Sequence, residues 1–218
     1  FVGRVTSGTT EELFWSSDGG INYSSNGTLA SHEARNLGIY ANELWGFDMD
    51  KRQFLFGGGS YHNGNNVWNG QYGFNGGGWK HAGGGESATG FAQYGAEPKM
   101  WFVDQPNLGN ALPNDESGAI TPYSSILDQA AWKPNPSLDY RQNRASRILF
   151  DKNNPRIIFW GHDGKFCRSE DDGKTAKVLF DFGGTKRIEW FEQSPLNGDY
   201  MYLKTEDTQT GNFGFHRS

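Results

Sequence analysis

The chain repeats itself, and that repetition limits the fold more than any other property of the sequence. Leu13-Phe14-Trp15-Ser16-Ser17-Asp18-Gly19-Gly20-Ile21-Asn22-Tyr23 matches Lys165-Phe166-Cys167-Arg168-Ser169-Glu170-Asp171-Asp172-Gly173-Lys174-Thr175. Each copy runs from an aromatic strand into Ser-x-Asp-x-Gly-x-(Asn/Thr). The last four residues, Phe215-His216-Arg217-Ser218, repeat Phe166-Cys167-Arg168-Ser169 and stop at the serine. The serines lie 153 residues apart (169 − 16), which is three steps of 51, and then 49 apart (218 − 169). A unit of about 50 residues therefore recurs, as in arrays whose units bury an apolar face only against their neighbours. The third copy halts in mid-motif, and the chain starts Phe1-Val2-Gly3 with neither an initiator Met nor an apolar leader. It is expected to belong to a longer protein.

A second signal runs in phase with the first: a hydrophobic strand, a turn built on Pro or Asp, then a strand ending in Gly or an aromatic. The clearest example is Leu149-Phe150-Asp151-Lys152-Asn153-Asn154-Pro155-Arg156-Ile157-Ile158-Phe159-Trp160-Gly161. Others begin at Trp45, Phe91 and Trp190, so the steps between starts are 46, 58 and 41 residues. With 31 Gly in 218 residues, long helices are disfavoured, because each interior Gly costs about 1 kcal/mol against Ala. Aromatic residues, at 15% of the chain, supply the core volume. The expected fold is all-β: one partial β-propeller over 1–218, of about four four-stranded blades. Inside the 58-residue step, Pro106, Pro113, Pro122, Pro134 and Pro136 interrupt any strand pattern, so 104–147 is expected to be a long inserted loop.

The turn itself has a physical logic. An Asp carboxylate accepts backbone N–H bonds within a tight hairpin, a Ser hydroxyl helps close it, and Gly takes the positive φ that side chains resist. An aromatic after the turn then packs on the sheet, a place filled by Tyr23 in the first copy and left to Ala176 in the second. This motif resembles the Asp-box (BNR) repeat of sialidases, family 74 xyloglucanases and sortilin-type propellers. The resemblance implies a structural hairpin away from any active face, so Ser16, Asp18, Gly20, Ser169, Asp171 and Gly173 are expected to hold turns and not to catalyse. A broader resemblance to exported BNR propellers covers about residues 13–110 and 145–218. Gly58-Gly59-Ser60-Tyr61-His62-Asn63-Gly64 looks like their Gly-Gly-x-Gln-Asp-Asn-Gly loop, and Trp79-Lys80-His81-Ala82-Gly83-Gly84-Gly85-Glu86-Ser87 like their Trp-x-x-x-Gly-Gly-Asp-Gly segment. The acidic positions differ: Tyr61-His62 replaces Gln-Asp, and Glu86-Ser87 replaces Asp-Gly.

Chemistry is harder to find than architecture. The sialidase resemblance would bring a Phe/Tyr-Arg-Ile-Pro segment, and Tyr140-Arg141-Gln142 lacks its Ile and Pro. A xyloglucanase-like glycoside hydrolase, the alternative reading, needs two carboxylates facing across a cleft; the candidates are Glu86 with Asp104 or Asp115. His32, His62, His81, His162 and His216 show no ligand spacing, so no metal is expected, and no other cofactor. The Gly runs at 57–59, 76–78 and 83–85 follow no strand-then-helix pattern and are not phosphate cradles. Asn26-Gly27-Thr28 is a formal glycosylation acceptor. Cys167, the single cysteine, reads as a small buried strand residue.

A net charge of −5 without a basic cluster argues against nucleic acid as a partner, and a mean hydropathy of −0.74 argues against membrane insertion. What remains is Trp68-Asn69-Gly70-Gln71-Tyr72-Gly73-Phe74-Asn75-Gly76-Gly77-Gly78-Trp79, where aromatics alternate with amides and Gly. Such a surface suits sugar rings or peptides, but packing between blades, which a propeller needs in every blade, is the stronger reading. Trp68, Tyr72, Trp79, Trp101, Tyr123 and Trp132 are the candidate binding residues, expected to converge on one face. The sequence reads as a non-catalytic binding or scaffolding propeller of an exported bacterial protein. It is expected to be secreted or on the cell surface, to recognise glycan or protein by its loop face, and to be completed by the same or another chain.

Overall fold

The computed structural model describes residues 2–7, 10–17, 20–28, 30, 32–34, 46–50, 55–60, 64–69, 78–82, 86–95, 99–105, 108–113, 124–134 and 148–218. These form an all-β chain of small antiparallel sheets, divided into two compact units, Phe1–Asn42 and Glu43–Ser218.

The first unit is one sheet in the order β1 (Val2–Ser7), β2 (Thr10–Ser17), β3 (Gly20–Ser24), β4 (Glu33–Ala34). Ser7 faces Thr10 and Ser17 faces Gly20, so β1, β2 and β3 pair as successive antiparallel neighbours. Phe14 and Tyr23 face each other in the ladder with ring centroids 4.9 Å apart, and Tyr23 Oη donates to Glu12 Oε1 at 2.9 Å. The aromatic after the turn therefore packs on the sheet, as its position in the repeat predicts. Beyond β3, Asn26 Oδ1 accepts from Ser24 Oγ, Thr28 N and Thr28 Oγ1, folding the acceptor tripeptide into a turn with Gly27 at φ 70°.

The second unit contains four sheets, each formed from consecutive strands. They are β5 (Gly46–Asp50), β6 (Leu55–Ser60), β7 (Gly64–Asn69) and β8 (Gly78–His81); β9 (Glu86–Gln93), β10 (Lys99–Gln105) and β11 (Leu108–Pro113); β12 (Ile148–Phe150), β13 (Ile158–His162), β14 (Lys165–Ser169) and β15 (Lys177–Asp181); and β16 (Lys186–Gln193), β17 (Met201–Asp207) and β18 (Phe213–Arg217). Each opens with one of the hairpins read from the sequence: β5–β6, β9–β10, β12–β13 and β16–β17. Two expectations change. Two of these sheets have three strands among the described residues, not four. And 104–147 is not all loop: β11 pairs with β10 from Lys99↔Pro113 to Val103↔Leu108, with Pro113 as the last residue of a strand at the edge of the described sheet, a place that tolerates proline.

Consecutive sheets pack through three successive cores. Leu55 and Val67 meet Ala92, Met100 and Phe102; Trp101 meets Ile148, Ile158, Trp160 and Cys167; Phe159 and Phe166 meet Ile188, Phe191, Met201 and Leu203. Alternation along a strand makes this possible, since neighbours point to opposite faces. Met100 and Phe102 serve one core while Trp101 between them serves the next. Burying each such side chain is worth about 1.5–3 kcal/mol. The Gly57–Gly59 run lies within β6 and permits close approach: a Cβ on Gly90 would stand 2.9 Å from Gly57 O and 3.0 Å from Phe102 Cε1. Asp48 Oδ2 accepts from Ala92 N at 3.1 Å across the same junction.

Candidate functional site

The second copy of the repeated motif folds as a hydrogen-bonded loop between Arg168 and Lys177, which face each other in the β14–β15 ladder. Ser169 Oγ donates to Asp171 Oδ1 at 2.9 Å and accepts from Gly173 N at 2.9 Å. Asp171 Oδ1 accepts from Lys174 N and Thr175 N, and Oδ2 from Thr175 Oγ1 at 2.7 Å. These donors, the Thr175 hydroxyl first, hold the Asp171 carboxyl down at about 2. Asp172 and Gly173 follow with φ of 67° and 79°, and at Gly173 a Cβ would stand 2.7 Å from Ser125 Oγ, so glycine is required there.

This loop does more than turn the chain. Asp172, buried, reaches the preceding sheet: Oδ2 pairs with Lys99 Nζ at 2.7 Å, and Oδ1 accepts from Gln93 Nε2 at 2.5 Å. Gln93 Oε1 in turn accepts from Trp101 Nε1 at 2.7 Å. Gly173 O accepts from Ile126 N and Ser125 Oγ, tying down the 3-10 turn Ile126–Asp128 that covers the same core with Leu127. A carboxylate so occupied has a structural role. The first copy differs in register, because Ser16 faces Ile21 and Ser17 faces Gly20 within the β2–β3 ladder, whereas residues 169–176 lie between the paired Arg168 and Lys177. Asp18 lies outside the described residues.

The four described candidate binding aromatics do not all share one face. Trp101 is fully buried between two sheets, which corrects its assignment to an exposed face; its indole is consumed by the core and by Gln93. Trp132 is half-buried against that core, and its carbonyl accepts from Trp160 Nε1 at 2.6 Å. Tyr72 and Tyr123 lie outside the described residues. Trp68 and Trp79, by contrast, join Met49 and Phe56 in one cross-strand row, Met49↔Phe56↔Trp68↔Trp79. Trp68 stacks on Phe56 at 5.1 Å and Trp79 meets Phe56 edge-on at 5.0 Å. On the same face two rungs along stand Phe47, Gly58, Asn66 and His81. This row is on the side of β5–β8 away from Leu55 and Val67, and Trp79 and Phe47 are more than half exposed. The Asn66 amide and the His81 imidazole thus share a face with these flat rings.

A second aromatic face was not singled out from the sequence. On β17 and β18 and the turn before them, Tyr200, Tyr202, Phe213 and Phe215 are exposed, with Lys204 Nζ 3.9 Å from the Phe213 ring centroid and Arg217 Cζ 4.5 Å from that of Tyr200. The alternation Phe213-Gly214-Phe215-His216-Arg217 was its signal.

Of the candidate acids, Glu86 faces Gln105 and Asp104 faces Ser87, adjacent rungs at one end of the β9–β10 ladder. Asp115 lies outside the described residues. Burial raises the Asp128 carboxyl to about 6, although it also closes a capping box with Ser125. Cys167 is buried and its thiol is pushed up to about 12 by desolvation. Among the described residues no group of three or more His, Cys, Asp or Glu could hold a metal, and no helix is long and apolar enough to cross a membrane. Neither a family model nor a curated protein matches this chain.

Proposed function

We propose that this chain is part of a non-catalytic β-propeller of Asp-box type, belonging to an exported protein, that binds glycan or protein ligands. Support for the propeller comes from the order of its parts. Four sheets follow one another along the chain, each opens with the same hairpin, and successive sheets are joined by cores on opposite faces. The observation that carries the binding role is the Met49–Phe56–Trp68–Trp79 row, with Trp79 51% exposed beside Asn66 and His81. The box carboxylates contribute to architecture, and ligand recognition falls to the aromatic row.

The test is a glycan array and a peptide display screen on the intact chain, followed by titration of any hit against Trp79→Ala. The variant is expected to keep its melting temperature and to lose about 1–3 kcal/mol of binding. Binding unchanged in the variant would remove the site from this row. Release of reducing sugar from a polysaccharide, abolished by Glu86→Gln or Asp104→Asn, would replace this reading with a glycoside hydrolase.

A further inference from the structure

The last two sheets share one register. Ile158 stands between Phe150 and Ser169; Met201 faces Gln193, and Ser218 N donates to its carbonyl at 3.0 Å. One rung on, Phe159 stands between Leu149 and Arg168, and Tyr202 between Glu192 and Arg217. Next, Trp160 stands between Ile148 and Cys167, and Leu203 between Phe191 and His216. Then Phe166 faces Gly161, and Phe215 faces Lys204. Tyr202 and Phe215 therefore occupy the positions of Phe159 and Phe166. The sheet before continues the series: Ala92↔Met100, Phe150↔Ile158 and Gln193↔Met201 all pair eight residues apart (100 − 92, 158 − 150, 201 − 193), which puts Trp101 at the same position as Phe159 and Tyr202.

That position is where each sheet receives the next. Trp101, 0% exposed, is covered by Ile148, Ile158 and Trp160; Phe159 and Phe166, at 5% and 1%, are covered by Ile188, Phe191, Met201 and Leu203. Tyr202 and Phe215 are 47% and 81% exposed. The flanking arginine repeats too: Arg168 pairs with Phe159 and Arg217 with Tyr202, although Arg168 lies over the Phe159 ring and Arg217 over that of Tyr200.

We infer that the Tyr202–Phe215 face of β16–β18 is the docking surface for a further antiparallel sheet of this same repeat. The partner sheet presents aliphatic and aromatic side chains at the positions of Phe191, Met201 and Leu203. One difference adds specificity. Gly161, where a Cβ would come within 3.0 Å of Ile188 Cβ, is replaced at its equivalent by Lys204, so the partner carries a small or acidic residue in place of Ile188. The inference rests on reading the chain as a propeller segment, but its test is separate from that of Trp79. The two concern different sheets, and either can fail alone.

The experiment extends the full chain after Ser218 with a second copy of residues 170–218, which restores the 49-residue step. The added copy is marked by conservative substitutions so that its peptides are distinguishable, and Lys204→Gly is placed in the receiving sheet. Hydroxyl-radical footprinting then reads Tyr202 and Phe215 of the original sheet. Docking is expected to slow their oxidation by about tenfold, and Phe215→Lys to restore that of Tyr202. Phe215→Lys in the unextended chain controls for folding, since a side chain this exposed leaves the melting temperature unchanged. Equal oxidation with and without the extension would overturn the inference. Protection already present in the unextended chain, and lost on dilution, would overturn it too by assigning the face to a second copy of the chain.

Discussion

Removing the Asp171 carboxylate tests the physical account of the turn after β14. The side chain accepts from Ser169 Oγ at 2.9 Å, Lys174 N at 3.1 Å, Thr175 N at 2.8 Å and Thr175 Oγ1 at 2.7 Å. At about 1 kcal/mol net for each bond the ceiling is about 4 kcal/mol. Lys174 and Thr175 are exposed, so water replaces much of what they lose, and the expected cost of Asp171→Ala is about 2 kcal/mol. The charge can be weighed separately. The carboxyl is lowered from 3.8 to about 2, which corresponds to about 2.5 kcal/mol before screening and about 1 kcal/mol once solvent exposure is allowed for. Asp171→Asn, which keeps an acceptor and loses the charge, is therefore expected to cost about half as much as Asp171→Ala.

The pH dependence follows from the sign of that shift. A carboxylate with a depressed folded-state pKa adds stability above its unfolded pKa and loses it as pH falls through the folded one. The gap between wild type and Asp171→Ala is thus full near neutrality and narrows between about pH 4 and pH 2. Urea denaturation followed by tryptophan fluorescence at several pH values measures it. A gap below about 0.5 kcal/mol at pH 7, or one that does not change on acidification, would show that the carboxylate is not what closes the turn.

Three further outcomes concern packing. Cys167, fully buried with a thiol raised to about 12, should react with a thiol reagent only as fast as the fold opens; rapid stoichiometric labelling without denaturant would contradict its burial. Trp101→Ala should cost about 3–5 kcal/mol in thermal or chemical unfolding, through its cavity and the loss of the donor to Gln93. A wild-type melting temperature in this variant would put the indole outside the core. Gly90→Ala should destabilise by about 1–3 kcal/mol, because the added methyl meets Gly57 O at 2.9 Å, whereas Gly184→Ala, with open space around it, should cost little. Equal melting of the two glycine variants would contradict the close approach of β6 and β9.

The hairpins and the turn chemistry were legible in the sequence because they are local. Leu149–Gly161 announces β12, a turn and β13 through hydrophobic runs around Asp151 and Pro155, and the structure spends Asp151 as expected, accepting from Asn153 N and Asn154 N. Ser169, Asp171 and Gly173 likewise carry their roles in their own hydrogen bonds and φ values. Residues between two sheets were not legible in this way. Met100, Trp101 and Phe102 form one apolar run, and only the neighbours of β10 assign the first and third to one core and the second to another. A strand buried on both faces has no polar alternation to mark which side is which. For the same reason the sequence did not separate Trp101 from Trp79, two tryptophans of which one is buried and the other half in solvent. It also did not show that Asp172, one residue past the turn carboxylate Asp171, would pair with Lys99 on another sheet. Local composition specifies how a strand ends and turns. Which of its faces is covered depends on the sheet that packs there, whose residues lie tens of positions away along the chain.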